Sequence, residues 1–177
     1  MIWVLRLGHR IERDKRLSTH CGLVARAFGA EKLIYTGQKD SGLEESIKSV
    51  TREWGGPFRI EYAESVGKIL RGWKGKTVHL TVYGMPLQER IKEIRKEKDL
   101  LVIVGGEKVP PEIYQQATWN IQVTGQPHSE VAALSVFLHE YFRGRELGKR
   151  FRKAGKVVVP QERGKKVIGQ THKDQTL

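Results

Sequence analysis

Three short stretches hold residue types from which a ligand site could be built: TVYGMP (81–86), VGGEKVPP (104–111) and VTGQPHSE (123–130). Each follows an apolar run, and each carries glycine and proline. Glycine has no Cβ, so a ligand can approach its backbone, and free N–H and C=O groups in such loops can read an adenine edge. Ordinary turn chemistry explains any one of them. Three in succession, after consecutive strands, point to a ligand. The third leads straight into an almost wholly apolar segment, EVAALSVFLHEYF. The open N–H groups of a helix starting near His128 are therefore expected to meet a ligand and not a capping side chain.

Other chemistries find little support. No G-x-G-x-x-G follows a strand and opens a helix. LRGWKGKT puts Leu70 where a P-loop needs its first glycine, and it precedes a strand. There is no G-x-S-x-G elbow, and Cys21 lacks a catalytic context. His9, His20, His79, His128, His139 and His172 show no metal-like spacing, so no metal is expected.

The loops need a frame. Apolar runs predict strands at 2–7, 32–36, 58–63, 77–84, 99–106 and 118–125. Helices are predicted from Ser18, as cap, to Phe28, then over 41–54, 64–72 and 86–97, briefly after Pro110-Pro111, and from His128. On this reading HRIERDKR (9–16) is a solvated loop. Several strands are apolar on both faces and must be covered on both sides. The pattern predicts an α/β fold with a mostly parallel six-stranded sheet flanked by helices. RGRELGKRFRKAG then reads as a basic helix or its end, KVVVPQERGKKVIGQ as a β-hairpin with Pro160 at a strand end, and 171–177 as disordered.

A chain of 177 residues fits one domain with an appendage. Its single cysteine permits no intrachain disulfide and suits a reducing cytosol. No secretory signal and no 18-residue apolar span is visible, so a cytoplasmic protein without membrane contact is expected. Net charge is +12, and residues from Arg143 onward hold eleven Lys/Arg against three Asp/Glu. Such asymmetry points to a polyanionic partner, nucleic acid above all, and makes the basic tail one candidate RNA contact.

The stretches HRIERDKRLSTH, HLTVYGMP, GGEKVPPEIY and QPHSEVAAL resemble the SPOUT class of RNA methyltransferases. Within it they are most similar to the archaeal family that methylates the 2′-oxygen of tRNA cytidine 56. HCGLVAR matches the first class motif at Gly22 and Arg26, with His20 where the class has Asn. Gly105-Gly106-Glu107 matches the second, with Pro110 in place of a glycine. His128 stands where the third has an amide.

The resemblance implies a deep trefoil knot over about 80–142, a methyltransferase domain over 1–143, a basic extension over 144–177, and a homodimer. S-adenosylmethionine is the implied cofactor. Leu80 or Val82, with Tyr83, would pack near its adenine. Gly105, Gly106, Glu107, Lys108 and Val109 would wrap it on one side. Val123, Thr124, Gly125 and Gln126 would do so on the other, continuing through Pro127, His128, Ser129 and Glu130. Arg26 is the implied catalytic residue, as an orienting and charge-stabilising group. Arg10, Arg13 and Arg16 are the implied contacts to tRNA. The alternatives are another RNA nucleoside as target, or an RNA-binding protein without catalysis. The helix from His128 is apolar around most of its circumference, which suits burial against the sheet on one side and a second subunit on the other.

Overall fold

The computed structural model describes residues 1–106 and 108–169. The expected disorder of 171–177 and the expected cofactor contact of Glu107 lie outside the described residues.

Six parallel strands form the sheet. They are β1 (Ile2–His9), β2 (Lys32–Gly37), β3 (Arg59–Tyr62), β4 (Lys76–Pro86), β5 (Leu100–Val104) and β6 (Trp119–Gln122). Their order is β3-β2-β1-β5-β4-β6. All five residues of β5 are buried, as its unbroken apolar run requires. Leu100, Val102 and Val104 pack on one face with α1 (Ile11–Ala27), α2 (Ser41–Trp54), α4 (Leu87–Ile94) and α6 (Glu130–Phe142). Leu101 and Ile103 pack on the other with α3 (Val66–Gly72) and α5 (Pro111–Gln116). β5 follows β4 in the chain but lies between β1 and β4 in the sheet.

The N-terminal helix corrects one expectation. It begins at Ile11, so most of HRIERDKR is helical and not a loop. Arg10 flanks it, and the Arg10 backbone N–H and side chain both donate to Asp14. Ser18 is not a cap but lies inside the helix, fully buried, with its Oγ 2.8 Å from His9 Nδ1. His9 Nε2 lies 3.2 Å from Asp40 Oδ2, and Asp40 caps α2 by accepting from the Leu43 N–H at 3.0 Å. The residue types are those of a nucleophilic triad, but no substrate can reach a hydroxyl with no exposed surface. The trio ties the end of β1 to the middle of α1 and to the start of α2.

β4 carries a bow. Leu80 and Met85 both pair with Ile121, so residues 81–84 stand out of the ladder. Gly84 permits the return. A Cβ there would lie 2.4 Å from the Ile121 nitrogen.

After α6 the chain turns through Arg143 and Gly144, both with positive φ, into a 3-10 turn at Arg145–Gly148. β7 (Lys156–Val158) and β8 (Val167–Gly169) then pair antiparallel. The segment runs back over the far ends of α1 and α2. The Gly56 N–H donates to the Arg152 carbonyl at 2.9 Å, and Lys156 pairs with Glu53 at 2.8 Å.

Burial raises the Asp40 carboxyl, but hydrogen bonds from the Leu43 N–H and from His9 outweigh it, leaving the group below the usual carboxylate range. A depressed carboxylate stabilises the fold above its unfolded value, near pH 4, and loses that contribution as pH falls through the folded value. Asp40→Ala removes a cap and a buried partner of His9, so it should cost about 2–3 kcal/mol at pH 7. It should also flatten the acid limb of the stability–pH curve. Urea melts at pH 3 to 7 check both, and an unchanged midpoint would show that the strut carries no load.

Candidate functional site

A cleft of about 590 Å³ opens at the carboxyl ends of the strands, where ligands bind in parallel sheets. The bow of β4 supplies Leu80 to Tyr83, the turn after β5 supplies Gly105, Gly106 and Val109, and the start of α6 supplies His128, Glu130 and Ala133. The turn after β5 doubles back tightly, since a Cβ on Gly105 would lie 2.1 Å from Val109 Cγ2. The first turns of α1 form a fourth wall with Arg10, Arg13, Asp14 and Leu17, whose spacing sets them on one helix face.

Two histidines that line the cleft have one nitrogen engaged and one without a partner among the described residues. His79 Nδ1 lies 2.8 Å from Asn120 Oδ1, and Asn120 Nδ2 donates to the Tyr114 carbonyl. Oδ1 is therefore the accepting atom, so His79 Nδ1 carries the proton and Nε2 keeps a lone pair. The ring stands edge-on to Tyr114 at 4.7 Å. Burial pushes the His79 pKa down, which keeps the ring neutral. His128 Nδ1 contacts the Ser129 carbonyl at 3.1 Å, and its buried Nε2 has no partner among the described residues.

The charged groups are graded by depth. Arg10 holds Asp14 through Nε at 2.9 Å and Nη2 at 3.3 Å. The Arg10 hydrogen bond keeps the Asp14 carboxyl below its usual range against the opposing effect of burial. Arg6, on β1, lies beneath them with only 1% of its surface exposed. Its Nη1 donates to the Leu7 carbonyl at 2.6 Å, and its Nη2 lies 4.0 Å from Glu130 Oε1. Tyr83, at the rim, is 83% exposed.

The cleft gathers Leu80, Val82, Tyr83, Gly105, Gly106, Val109, His128 and Glu130 from the anticipated cofactor residues, and Arg10 and Arg13 from the anticipated RNA contacts. Lys108 lines an adjoining hollow that shares Arg10 and Gly106 with the cleft. Val123 packs against the core. Thr124 Oγ1 accepts from the Gln126 N–H at 3.3 Å, so the stretch through Gly125 and Pro127 is a turn braced by its own side chains. Ser129 corrects the expectation of an uncapped helix. Its Oγ accepts from the Ala132 N–H at 3.2 Å and satisfies one of the groups assigned to a ligand. Arg16 is exposed on α1.

Arg26 is not brought into the cleft. It lies at the other end of α1, donates through Nη2 to the Gly55 carbonyl at 2.5 Å, and stacks over the Phe151 ring at 4.5 Å. Burial draws its pKa below the ordinary arginine value, but the group it serves is the C-terminal segment. Sequence reasoning missed Arg6, His79, Asp14 and Tyr114 as site residues. Arg6 and His79 each interrupt an apolar strand, a signal that marks them as unusual but does not place them in a site.

Residues 54–168 match the family described as tRNA ribose 2′-O-methyltransferase, aTrm56. A relative from Thermococcus kodakarensis is 54% identical over 174 residues, 95% of this chain and 97% of its own. One from Archaeoglobus fulgidus is 50% identical over 169 residues, 96% of this chain and 99% of its own. One from Pyrococcus horikoshii is 48% identical over 172 residues, 95% of this chain and 85% of its own. All three are named tRNA (cytidine(56)-2′-O)-methyltransferase. Among solved structures, an RNA 2′-O ribose methyltransferase is similar at TM-score 0.60 and 17% identity, over 81% of this chain and 56% of its own. The SpoU methyltransferase AviRb from Streptomyces viridochromogenes, in complex with AdoMet, follows at 0.59 and 15%, over 82% and 57%. The A. aeolicus TrmH/SpoU tRNA modifying enzyme gives 0.58 and 21%, over 83% and 76%. The chain thus spans little more than half of the first two, and at these identities the likeness is one of fold.

Proposed function

The chain belongs to the tRNA ribose 2′-O-methyltransferase family, and from that premise we propose that it methylates the 2′-oxygen of cytidine 56 in tRNA with S-adenosylmethionine as methyl donor. The observation that carries the reading is the convergence of the three strand-end loops on one cleft beneath an arginine-bearing helix face. A cleft of about 590 Å³ suits a nucleoside-sized ligand, and the lone-pair nitrogen of His79 suits the donor edge of an adenine. The cofactor supplies an activated methyl on a sulfonium. The protein must align an oxygen with that methyl and exclude water. Leu80, Val82 and Val109 provide the apolar wall, and neutral His79 adds no charge beside a cationic ligand.

The 2′-hydroxyl is a weak nucleophile whose oxygen gains negative charge during transfer. Within one chain the cations placed to stabilise that charge are Arg10 and Arg13, whereas Arg26 braces the C-terminal segment. An arginine stays protonated, so the role is to orient and stabilise and not to take the proton. The insertion of β5 between β1 and β4 supports a knot over about 80–142. The basic segment after Arg143 gives tRNA a second surface, and tRNA as substrate accords with a cytoplasmic setting. Val136, apolar yet exposed on α6, supports a homodimer through that helix.

Incubated with methyl-labelled S-adenosylmethionine and a tRNA transcript, the protein should place one methyl per tRNA, on the ribose of nucleotide 56. A methyl mapped to another nucleotide, or no transfer to RNA, would overturn the assignment. Arg13→Ala should keep cofactor binding and lower single-turnover rate by about 10²–10³, the loss typical of one charge-stabilising donor. Arg26→Ala should leave that rate within about threefold; a fall of about 10² with the fold intact would return the catalytic role to Arg26, reaching a partner's cleft. Sedimentation equilibrium at micromolar protein should report a dimer, and a monomer would remove the proposed interface.

A further inference from the structure

Arg6 is the deepest charge in the cleft, and its pairing is incomplete. A guanidinium offers five N–H donors. Here one is well used, on the Leu7 carbonyl at 2.6 Å. The Glu130 carboxylate stands 4.0 Å off, beyond hydrogen-bond reach, and Arg6 Nε is buried without a partner among the described residues. Burying a charge with unmet donors is costly, yet three elements close around this one. Gly106 leaves the approach open, since a Cβ there would already come within 3.4 Å of Arg6 Nη1. Glu130, by contrast, has 28% of its side chain exposed and faces the same cleft.

A cation and an anion 4.0 Å apart on one wall are complementary to a ligand carrying its own anion and cation on adjacent atoms. An α-amino acid is such a ligand. We infer that Arg6 and Glu130 form a clamp for the amino-acid end of the cofactor, Arg6 Nη2 donating to its carboxylate and Glu130 accepting from its ammonium. The inference rests on S-adenosylmethionine being the cofactor. It also assigns orientation. The methionyl end lies toward α1 and α6, and the adenine lies toward His79 and Tyr114. A guanidinium beside the sulfonium itself would oppose binding, so the clamp must act on the far end of the amino acid.

The test is calorimetry with S-adenosylhomocysteine and with 5′-methylthioadenosine, which keeps the adenosine and thioether but has no amino-acid end. Arg6→Gln should weaken S-adenosylhomocysteine about 10- to 100-fold, the value of one charged hydrogen bond, and leave methylthioadenosine within about twofold. Glu130→Gln should discriminate in the same sense. Should Arg6→Gln not fold, the wild-type protein titrated with an S-adenosylhomocysteine carboxamide carries the test, and an equal loss is expected. Equal weakening of both ligands by Arg6→Gln, or no loss with either variant or with the carboxamide, overturns the clamp. Failure of the wild-type protein to bind S-adenosylhomocysteine at all would instead overturn the cofactor reading.

Discussion

The position of β5 between β1 and β4 is the constraint on which the rest depends. Its five side chains are buried on both faces, each worth about 1.5–3 kcal/mol relative to exposure. That anchors the end of the strand where the 105–109 turn leaves it. Because β4 is the next strand over, the bow at 81–84 and the turn after β5 meet without a spacer. β6, paired on the outer side of β4, brings the stretch before α6 against the bow. A loop cluster assembled from three neighbouring parallel strands needs no long connection to hold it, so the site inherits the rigidity of the sheet.

The second determinant is how charge is seated. α1 is fixed at its middle by the buried His9–Ser18–Asp40 strut, and one face of the turns before it lines the cleft. Arg10 spends its fork on Asp14, and Arg6 below is left with Glu130 at a distance. The result is a gradient from exposed Arg13 at the mouth to sealed Arg6 at the floor. The outer cations are open to solvent, and the inner one is almost wholly buried beneath them. Neutral His79 and the apolar wall separate these charges from the region expected to hold the nucleoside.

Much of this was legible in the sequence, and particular residues show why the rest was not. β5 reads correctly because a run of Leu, Val and Ile between turn signals has few other uses. The three Gly/Pro loops stand out by composition, and the structure places them on one edge. The start of α1 was misread because Ser18 looks like a cap. Its hydroxyl serves His9, and capping preference is a local rule that a buried tertiary hydrogen bond overrides. Ser129 misled in the opposite direction, for a plain cap was passed over in favour of a ligand. Arg6 escaped because a lone arginine in a strand resembles an edge residue until the neighbouring strands are known.

Arg26, the residue the motif implies for catalysis, stands outside the cleft of its own chain. It lies thirteen residues beyond Arg13, roughly 20 Å along the helix at 1.5 Å per residue, so the two cannot serve one cleft of one chain. Its contacts within the chain are to the C-terminal segment and to Gly55, and its buried Nε has no partner among the described residues. The Gly55 carbonyl takes a hydrogen bond, Phe151 covers the plane of the guanidinium, and Gly56 binds the Arg152 carbonyl. These contacts fasten the basic segment to the body of the fold. The two-stranded sheet of β7 and β8 is too small to be stable alone and depends on such anchoring. Arg26 therefore helps to fix the surface that carries much of the chain's excess positive charge.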